Sequence, residues 1–455
     1  MDIPQKYKGR YFYHFTHIDN IESIVKYGLL STNEKERISV EHVDLANEEI
    51  QLRRSQMDVP CDPYGKIHDY VPFYFATVNP MLLGILNRKN IDQPLVVFIA
   101  ISIEKLLNSN VIFTDASANT LVHPNFYSDP EDLDNLKWDL IDSNKWYRGT
   151  YNELHSRMAE VLIYKKVPIE WIDSYVVFNN ICKKEIKKVY EDYGLQTPNI
   201  SYEPFNNRYF YFTKFFMKAR KRETLVTGPI FLRNDFKEVI KKINEKRKSE
   251  ESKQSAFQDI NDALLKIKED FCILKELEDI FELKTDNKVH SDNVSDHTLQ
   301  VVINLEDNKY YRSLSESDKK LVKLSAYLHD IGKGPKSKWK DGIQTAYPDH
   351  PADSIPMLER ILVEEFKIMS KYEIRKICLL VIYHDIIGDI LANGRSEKEL
   401  LRLKIDENEF NMLVAISIAD ISAINPLWTH NIEVMLPSFI KKISKVILND
   451  KIRIR

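Results

Sequence analysis

The stretch RMAEVLIYKK, residues 157–166, decides the fold of the N-terminal part of the chain. Its alternating apolar residues are typical of a buried strand. Glu160 stands where this strand is expected to begin, and a single glutamate at a strand end is most often a solvated charge. The role of Glu160 therefore depends on which polar side chains the fold brings close to it.

Length and composition limit the class of protein. A chain of 455 residues predicts two or three domains, and 43% hydrophobic with 29% charged residues is typical of globular proteins. The first residues form no apolar signal segment and the longest apolar runs have the length of strands, so we expect neither export nor a membrane span. The four cysteines form no CxxC pair, which argues against a disulfide framework or a thiolate zinc site and fits a cytoplasmic protein.

A change of hydrophobic periodicity divides the chain. Residues 1 to about 178 mix strand-like runs such as VPFYFATV and LVVFIAISI with helical stretches, which predicts an α+β domain, bounded as residues 1–225, with a largely antiparallel sheet. From about residue 256 onward the periodicity is helical nearly throughout, which predicts an all-α domain, bounded as residues 276–455. Residues 226–275 are predicted to form a charged helical linker, whose most polar part is residues 243–255.

A set of histidines and aspartates provides the clearest chemistry of the second domain. In LSAYLHDIGKG, residues 324–334, an apolar helix is expected to end in His329 and Asp330. Further candidate ligands are His297, His350, His384 and Asp420. Six such groups suit Mn, Fe, Zn, Co or Mg and could hold two ions. The alternative is six unrelated polar residues, but three of them interrupt strongly apolar helical stretches, where an unpaired ionisable group would be costly.

The order of these residues, H, HD, H, H and D, resembles the HD phosphohydrolase superfamily over residues 280–450. The likeness is closest to the uridylyl-removing domain of the bacterial nitrogen-regulatory uridylyltransferase, through DHTLQVV, AYLHDIGKG, DHPADS and ADISAIN. This resemblance implies that the six residues bind divalent metal, which polarises a phosphoryl oxygen and activates water, with Lys333 neutralising phosphate charge. His290 is a competing first ligand, ranked behind His297 because His297 opens the apolar helix.

Polar and aromatic residues of the first domain form a second pattern. In YFYHFTHIDNIESIV, His14 and Thr16 alternate along a short strand, so both side chains are expected on one face. Arg54 in QLRRSQ and Tyr74 in VPFYFATV follow. Together with Glu160 they could hold a nucleoside, stack on a flat cation and bind a ribose hydroxyl, although each motif alone is more often a structural feature.

In this order the motifs resemble the DarT family of ADP-ribosyltransferases. The likeness extends over residues 8–180 through YHFTHIDNI, QLRRSQ, GKIHDYVPFYFATVNPML, FTDASANTLVHPNFY and RMAEVLIYK. The resemblance implies an ADP-ribosyltransferase fold of split antiparallel β-sheets with helices. It also implies that ADP-ribose is transferred from NAD, as co-substrate, to a base in single-stranded DNA.

The same resemblance implies roles for single residues. Glu160 matches the catalytic glutamate, which can hold ribose hydroxyls and stabilise the positive charge that develops as nicotinamide leaves. Arg54 matches an arginine that stabilises the acceptor base and the NAD phosphates. The implied NAD contacts are His14, Thr16, Asn20 and Tyr74, and His123 is a weaker match expected at the DNA.

A basic and aromatic segment, NNRYFYFTKFFMKARKR at residues 206–222, contains no acid. Aromatic side chains interleaved with Lys and Arg suit a single strand of nucleic acid, because they stack on bases and neutralise phosphates. The net charge of the chain is only -3, so contact with nucleic acid has to come from such a local patch. Arg208, Lys214 and Lys218 are the predicted contacts, although the segment could instead be an amphipathic strand and helix that pack on the fold.

These features predict a DNA ADP-ribosyltransferase joined to a metal-dependent HD domain, acting as a bacterial toxin or phage-defence effector with an antitoxin protein as a further partner. Two alternatives stay open. The first domain could modify RNA or protein, because motifs do not reveal the shape of the acceptor pocket. The HD domain could sense a nucleotide and regulate the transferase without turnover. The charged linker further predicts that the HD domain binds metal independently of the transferase.

Overall fold

The computed structural model describes residues 2–45, 48–118, 123–144, 149–214, 223–249, 255–286, 293–345, 347–424 and 426–453. The chain divides into two compact units. The first consists of Met1–Leu86 and Ile91–Leu225, and the second of Asn87–Asn90 and Val226–Arg455. The short segment Asn87–Asn90 thus belongs with the C-terminal half of the chain, although it interrupts the first unit in sequence.

A mixed sheet forms the centre of the first unit. Its strands are β1 Tyr11–His17, β2 Leu29–Leu30, β3 Tyr70–Tyr74, β4 Val96–Ser102, β5 Val111–Thr114, β6 Phe126–Tyr127, β7 Glu160–Tyr164, β8 Lys166–Val167, β9 Ser174–Val177 and β10 Asn199–Tyr202. Among the described residues the main sheet has the order β10-β9-β4-β1-β3-β7-β5-β6, and β2 pairs separately with β8. Within the main sheet only β9 and β10 are parallel, so the prediction of a largely antiparallel sheet is confirmed.

The sheet is split near its middle and covered by short helices. In the described part of the chain, β1 and β3 share the single pair Tyr13 and Tyr74. The helices of this unit are α1 Ile21–Tyr27, α2 Thr32–Arg37, α3 Glu48–Gln56, α4 Pro80–Asn87, α5 Trp138–Ile141, α6 Tyr151–Arg157 and α7 Asn180–Asp192. Phe12 and Phe73 meet edge to face in the core, with ring centroids 5.2 Å apart. The strands form because β-branched and aromatic residues of this kind dominate them.

The second unit is helical. Its helices are α8 Pro229–Ser249, α9 Ile260–Glu269, α10 Lys275–Ile280, α11 Val294–Asp307, α12 Lys309–Arg312, α13 Glu316–Leu328, α14 His350–Arg360, α15 Lys371–Ile382, α16 Ile386–Gly388, α17 Glu397–Arg402, α18 Glu407–Ile424 and α19 Pro426–Arg453. A parallel pair of short strands, β11 Lys284–Asp286 and β12 Ile343–Thr345, was not predicted, because three residues are too few to show alternation. No helix in the described ranges is both long and apolar enough to cross a membrane.

The segment predicted as a charged linker, residues 226–275, contains helices α8 and α9 among its described residues and lies within the second unit. Helix α8 buries a stripe of apolar side chains at helical spacing: Leu232, Phe236, Val239 and Ile243. Its basic end is also anchored, because Arg247 Nη1 donates to the Phe366 carbonyl at 2.8 Å. The high charge of this segment therefore describes only the outer face of a packed helix.

Candidate functional site

Glu160 and Arg54 form a buried ion pair in the first unit. Glu160 begins β7 and is fully buried, and Arg54 lies on α3 with 7% of its side chain exposed. The guanidinium donates two parallel hydrogen bonds, from Nη1 to Oε1 and from Nη2 to Oε2, each 2.9 Å long. Burial opposes the charge on Arg54, but the Glu160 carboxylate outweighs burial and raises the pKa of Arg54. The neighbouring Arg53 is exposed, because consecutive helical residues point in different directions.

Further hydrogen bonds fix the Glu160 carboxylate. Its Oε1 accepts from the Ser117 hydroxyl at 3.2 Å and from the Ala118 backbone N–H at 3.0 Å. The Glu160 backbone N–H donates to Thr114 Oγ1 at 3.1 Å. Among the described residues, Oε2 accepts only from Arg54, so this oxygen keeps a lone pair for a ligand. The sequence did not single out Ser117, because a serine in an irregular loop carries no local signal.

A cavity of about 410 Å³ lies in the first unit. Its lining includes five of the predicted site residues: His14, Thr16, Asn20, Arg54 and Tyr74. Arg54 both lines the cavity and binds Glu160, so the ion pair lies at the cavity wall. The volume is in the range of small-molecule sites.

Hydrogen bonds connect β1 to a segment that also lines the cavity. Asn20 Nδ2 donates to Thr16 Oγ1 and to the Val43 carbonyl, each at 3.0 Å, and the Val43 N–H donates to Asn20 Oδ1 at 2.7 Å. His14 Nδ1 lies 2.8 Å from the Pro72 carbonyl. Burial lowers the pKa of His14 to about 4, so its ring is neutral at pH 7 and Nδ1 donates this bond. His14 Nε2 is then an acceptor for a ligand.

Tyr74 supplies an aromatic ring to the same cavity. The ring stacks on that of Phe15, with centroids 6.1 Å apart and planes 16° from parallel. The Tyr74 hydroxyl donates to Met81 Sδ at 3.2 Å, and burial raises the pKa of this phenol. Tyr74 on β3 is also the cross-strand partner of Glu160 on β7. The ion pair and the aromatic ring therefore lie side by side, as a flat ligand with a ribose would require.

Lys35 is a cavity residue that the sequence did not reveal. It lies on α2, and its Nζ is 3.1 Å from Nε2 of His42, which also lines the cavity. Burial lowers the pKa of Lys35. A partly buried ammonium group in a cavity of this size suits a phosphate. The short helix TNEKER around it has no pattern that separates this lysine from a solvated one.

Of the predicted DNA contacts, His123, Arg208 and Lys214 are described by the structure, and none of these three lines this cavity. His123 is exposed, and Arg208 pairs with Asp142 at an N–O distance of 2.7 Å. Lys214 is partly buried, and Lys218 lies outside the described residues. The roles of these four residues stay predictions.

Three aromatic residues of the 206–222 segment pack on the fold. Phe210, Tyr211 and Phe212 are buried, and the Tyr211 hydroxyl donates to the backbone carbonyl of Val96 at 3.0 Å. Tyr209 is 48% exposed. These three rings therefore pack on the fold, which is the alternative given above to contact with nucleic acid. The Tyr209 ring, in contrast, is accessible to a base.

In the second unit, the six predicted metal ligands converge in two groups. One group contains His297, His329 and Asp420, and the other contains Asp330, His350 and His384. The ligand atoms of each group lie within 4.8 Å of one another. The Nε2 atoms of His350 and His384 are 3.1 Å apart, and Asp330 Oδ2 lies 3.4 Å from Nε2 of His329 in the other group. We refer to these groups as the two ligand trios.

The orientation of the imidazoles fits metal binding. In His329, His350 and His384, Nδ1 lies 2.7 to 2.8 Å from the backbone carbonyl three residues earlier. Nδ1 therefore carries the proton, and Nε2 keeps the lone pair that a metal requires. Burial lowers the pKa of His350 to about 3, so its ring is neutral. Nitrogen lone pairs that face one another repel unless a cation lies between them, and this donor set therefore fits divalent metal.

Gly332 allows the backbone at His350 to approach the turn that carries His329 and Asp330. A Cβ atom on Gly332 would lie 1.9 Å from the His350 carbonyl oxygen, so no other residue fits without a backbone shift. Lys333 Nζ donates to Asp330 Oδ2 at 2.5 Å and thus stands beside the ligands. The competing first ligand, His290, lies outside the described residues.

Family models match both parts of the chain. The model described as "ssDNA thymidine ADP-ribosyltransferase, DarT" matches residues 13–211, and the model described as "HD domain" matches residues 290–408. The first range contains Arg54 and Glu160. Asp420 lies beyond the second range, but its Oδ1 is 2.9 Å from Nε2 of His297.

Curated relatives are similar to the N-terminal part. A DNA ADP-ribosyl transferase of Thermus sp. (strain 2.9) is 32% identical over 187 residues, which are 40% of this chain and 87% of the relative. A fusion of a DNA ADP-ribosyl transferase with a DNA ADP-ribosyl glycohydrolase from Thermosipho africanus is 24% identical over 49% of this chain and 55% of its own length. The solved structure of Thermus sp. 2.9 DarT in complex with ADP-ribosylated ssDNA covers 45% of this chain and 97% of that chain, at 28% identity and a TM-score of 0.40.

Proposed function

The chain belongs to the DarT family of DNA ADP-ribosyltransferases, and from this membership we propose that its first unit transfers ADP-ribose from NAD to a thymidine base of single-stranded DNA. The observation that carries the proposal is the buried pair of Arg54 and Glu160 beside the cavity. Thymidine is the acceptor named in the description of the matching family model.

In this proposal NAD occupies the cavity of the first unit. His14 Nε2 and the Thr16 and Asn20 side chains offer polar contacts from β1 and its following turn. The nicotinamide ring packs against the Tyr74 ring, which stacks on the Phe15 ring. The Lys35 ammonium neutralises the pyrophosphate.

Glu160 acts on the ribose that is transferred. The bond between ribose C1′ and the nicotinamide nitrogen breaks, nicotinamide leaves with the electron pair, and positive charge develops on the ribose. The Glu160 carboxylate stabilises that charge and accepts a hydrogen bond from a ribose hydroxyl at Oε2. A nitrogen of the base then attacks C1′ and loses its proton. Arg54, which Glu160 holds in place, stabilises the base as the proton leaves.

Mass spectrometry of matched oligonucleotides tests this function. Single-stranded DNA, its duplex, the same sequence in RNA, and a DNA in which every thymine is replaced by cytosine are each incubated with the chain and labelled NAD. Label is expected on the thymine-containing single strand. Glu160→Gln should abolish the label, whereas Glu170→Gln, an exposed glutamate of the same unit, should retain it. Label on RNA or protein alone would contradict the choice of acceptor.

For the second unit we propose metal-dependent hydrolysis of a phosphate ester or pyrophosphate, supported by the two ligand trios. Bound divalent metal would polarise a phosphoryl oxygen and activate water. The four imidazoles and two carboxylates would hold it, and Lys333 would neutralise a substrate phosphate. The linkage between ADP-ribose and a base is N-glycosidic, so hydrolysis here would act on the pyrophosphate within ADP-ribose or on a free nucleotide.

Metal analysis and hydrolysis assays test the second activity. The purified full chain is reconstituted with Mn²⁺ and offered ADP-ribose, NAD and ADP-ribosylated DNA. Hydrolysis in wild type and its loss in His329→Ala/Asp330→Ala are expected. Binding of a nucleotide without turnover would favour the regulatory alternative.

The family membership also indicates a biological role. The Thermosipho africanus relative is named as a fusion of a transferase with a glycohydrolase of DNA ADP-ribose, a pairing of opposed activities. We place this chain in the bacterial cytoplasm, where NAD and DNA occur together, as a toxin or phage-defence effector that an antitoxin protein restrains. Expression of wild type should stop growth, whereas Glu160→Gln should be tolerated.

A further inference from the structure

The segment Asn87–Asn90 is part of the second unit, and Lys89 is its buried cation. The Lys89 side chain is only 4% exposed, and its Nζ forms an ion pair with Asp385 and lies 3.8 Å from Asp389 Oδ2. The φ angle of Lys89 is 55°, in the left-handed region that residues with a Cβ rarely adopt. A buried lysine in this conformation persists only where the surrounding contacts compensate for it.

Asn90 holds the segment in this position. Its Nδ2 donates to the Gly394 carbonyl at 2.9 Å, and the Ser396 N–H donates to Asn90 Oδ1 at 2.8 Å. These two contacts flank Arg395, whose side chain is fully buried. The segment is therefore fixed by directional hydrogen bonds in addition to the charge of Lys89.

Lys89 and Arg395 together balance three carboxylates. Arg395 Nη1 donates to Asp385 at 3.0 Å and to Asp389 at 3.2 Å, and its Nε and Nη2 donate to Glu399 at 2.7 and 2.9 Å. Without Lys89, one guanidinium would face three carboxylates, of which Glu399 is buried and Asp385 and Asp389 are 19% and 20% exposed. Such an excess of charge is relieved by movement of the side chains or the backbone that carries them. Asp385 is the direct partner of Lys89 and would be the first to move.

Asp385 directly follows His384, a member of the second ligand trio. Both residues lie in the turn between α15 and α16, and Asp385 is the residue that precedes α16. His384 Nδ1 lies 2.8 Å from the Val381 carbonyl, which orients its ring within this turn. The ion pairs of Asp385 with Lys89 and Arg395 therefore fix the backbone that directs His384 toward its trio.

We propose that Lys89 is a positioning residue for the candidate metal centre, so that the C-terminal half binds metal at full affinity only with the segment Asn87–Asn90 in place. The inference rests on the metal binding proposed above. It replaces the expectation that the HD domain binds metal independently of the N-terminal half. Lys89 touches no ligand atom and acts through Asp385 on His384.

Cobalt titration of the full-length chain tests the inference. Co²⁺ binding is followed by its visible absorption, and retained metal is measured by elemental analysis. Lys89→Met is expected to weaken Co²⁺ binding at least tenfold and to change the absorption spectrum, as loss of a supporting residue does at metal sites (about 10- to 100-fold). Lys89→Arg, which retains the charge, should restore most of the affinity. If Lys89→Met does not fold, Lys89→Gln retains an N–H donor for Asp385 and should show the same loss.

Lys376→Met is the matched control. Lys376 is 2% exposed, and its Nζ pairs with Asp318 at 2.9 Å. Lys376→Met therefore also removes a buried lysine–aspartate ion pair from the second unit, but one that does not involve the turn at His384. Its Co²⁺ affinity and spectrum should equal those of wild type. Wild-type affinity and spectrum in Lys89→Met would overturn the inference, and so would equal losses in Lys89→Met and Lys376→Met. A wild-type chain that binds no Co²⁺ would instead refute the proposed metal centre, and this inference with it.

Discussion

Replacing Glu160 by glutamine tests the buried pair that it forms with Arg54. The pair consists of two charge-assisted hydrogen bonds of 2.9 Å in a site where Glu160 is fully buried. Hydrogen bonds to charged groups contribute about 1.5 to 3 kcal/mol each. Removing one partner of a buried pair costs about 3 to 5 kcal/mol, because the remaining charge is left without compensation. Glu160→Gln should therefore lower the local stability of β7 by about 3 kcal/mol and reduce transfer about 10²- to 10³-fold.

A double-mutant cycle separates the pair from its surroundings. Arg54→Met and Glu160→Gln should each be costly, and the double variant should cost about 2 to 3 kcal/mol less than their sum, because it leaves neither charge alone. Hydrogen exchange of the β7 peptide measures local stability, and labelled oligonucleotides measure transfer. Arg10→Met is the control. Arg10 makes the same two-bond contact with Asp142 at 2.8 and 2.9 Å, but the pair is partly exposed and Asp142 keeps Arg208 as a partner, so the loss should cost less than about 1 kcal/mol.

Two results would refute this reasoning. Additive effects of Arg54→Met and Glu160→Gln would show that the two charges do not depend on each other. Near wild-type transfer by Glu160→Gln would remove Glu160 from the catalytic site, whatever its effect on stability.

Four further predictions concern the remaining sites. Arg54→Ala should reduce transfer more than NAD binding, measured by labelling and calorimetry, since its main proposed partner is the acceptor base; equal losses would make it a cofactor residue. Binding to single-stranded DNA should exceed binding to duplex and weaken steeply with salt in fluorescence anisotropy, and a flat salt profile would argue against phosphate contacts by the 206–222 segment. Burial lowers the pKa of His14 from 6.5 to about 4, so between these values the unfolded chain binds a proton that the folded chain does not. The free energy of unfolding should thus fall by about 2 kcal/mol from pH 7 to pH 5 because of this group. His14→Gln should remove that part of the pH dependence of unfolding, and a variant with the wild-type pH dependence would contradict the lowered pKa of His14. His329→Ala/Asp330→Ala should empty the metal centre in elemental analysis while transfer persists, and a fully occupied double variant would place the ligands elsewhere.

Much of the fold follows from short-range signals in the sequence. Alternation in VPFYFATV and around Glu160 predicts β3 and β7, and a largely antiparallel sheet is found. Helical periodicity after residue 276 also corresponds to observed helices. The packing of α8 was missed, because four apolar positions are diluted by many charges on its outer face. Three-residue strands such as β11 have no periodic signal at all.

The candidate sites depend on contacts between distant parts of the chain. The sequence names Arg54 and Glu160 as separate site residues, but their contact across 106 positions requires the folded sheet. It likewise names six candidate ligands without dividing them into two trios. Lys35 and Lys89 could not be distinguished from surface lysines, since only the tertiary structure shows that one lines a cavity and the other is buried.

The placement of Asn87–Asn90 has a consequence for the exchange of domains between genes. Recombination that joins halves of two genes near residue 226 would be expected to preserve function, because the composition changes there and no sequence motif is interrupted. The transferred C-terminal half would nevertheless lack Lys89 and Asn90, because these two residues lie before the point of recombination. Asp385 would then depend on the corresponding residues of the recipient chain. Hybrids joined at this point should inherit a weakened metal centre unless the recipient chain supplies a lysine and an asparagine at the same two positions. In chains of this architecture, the sequences of the transferase and of the HD domain should therefore change together during evolution.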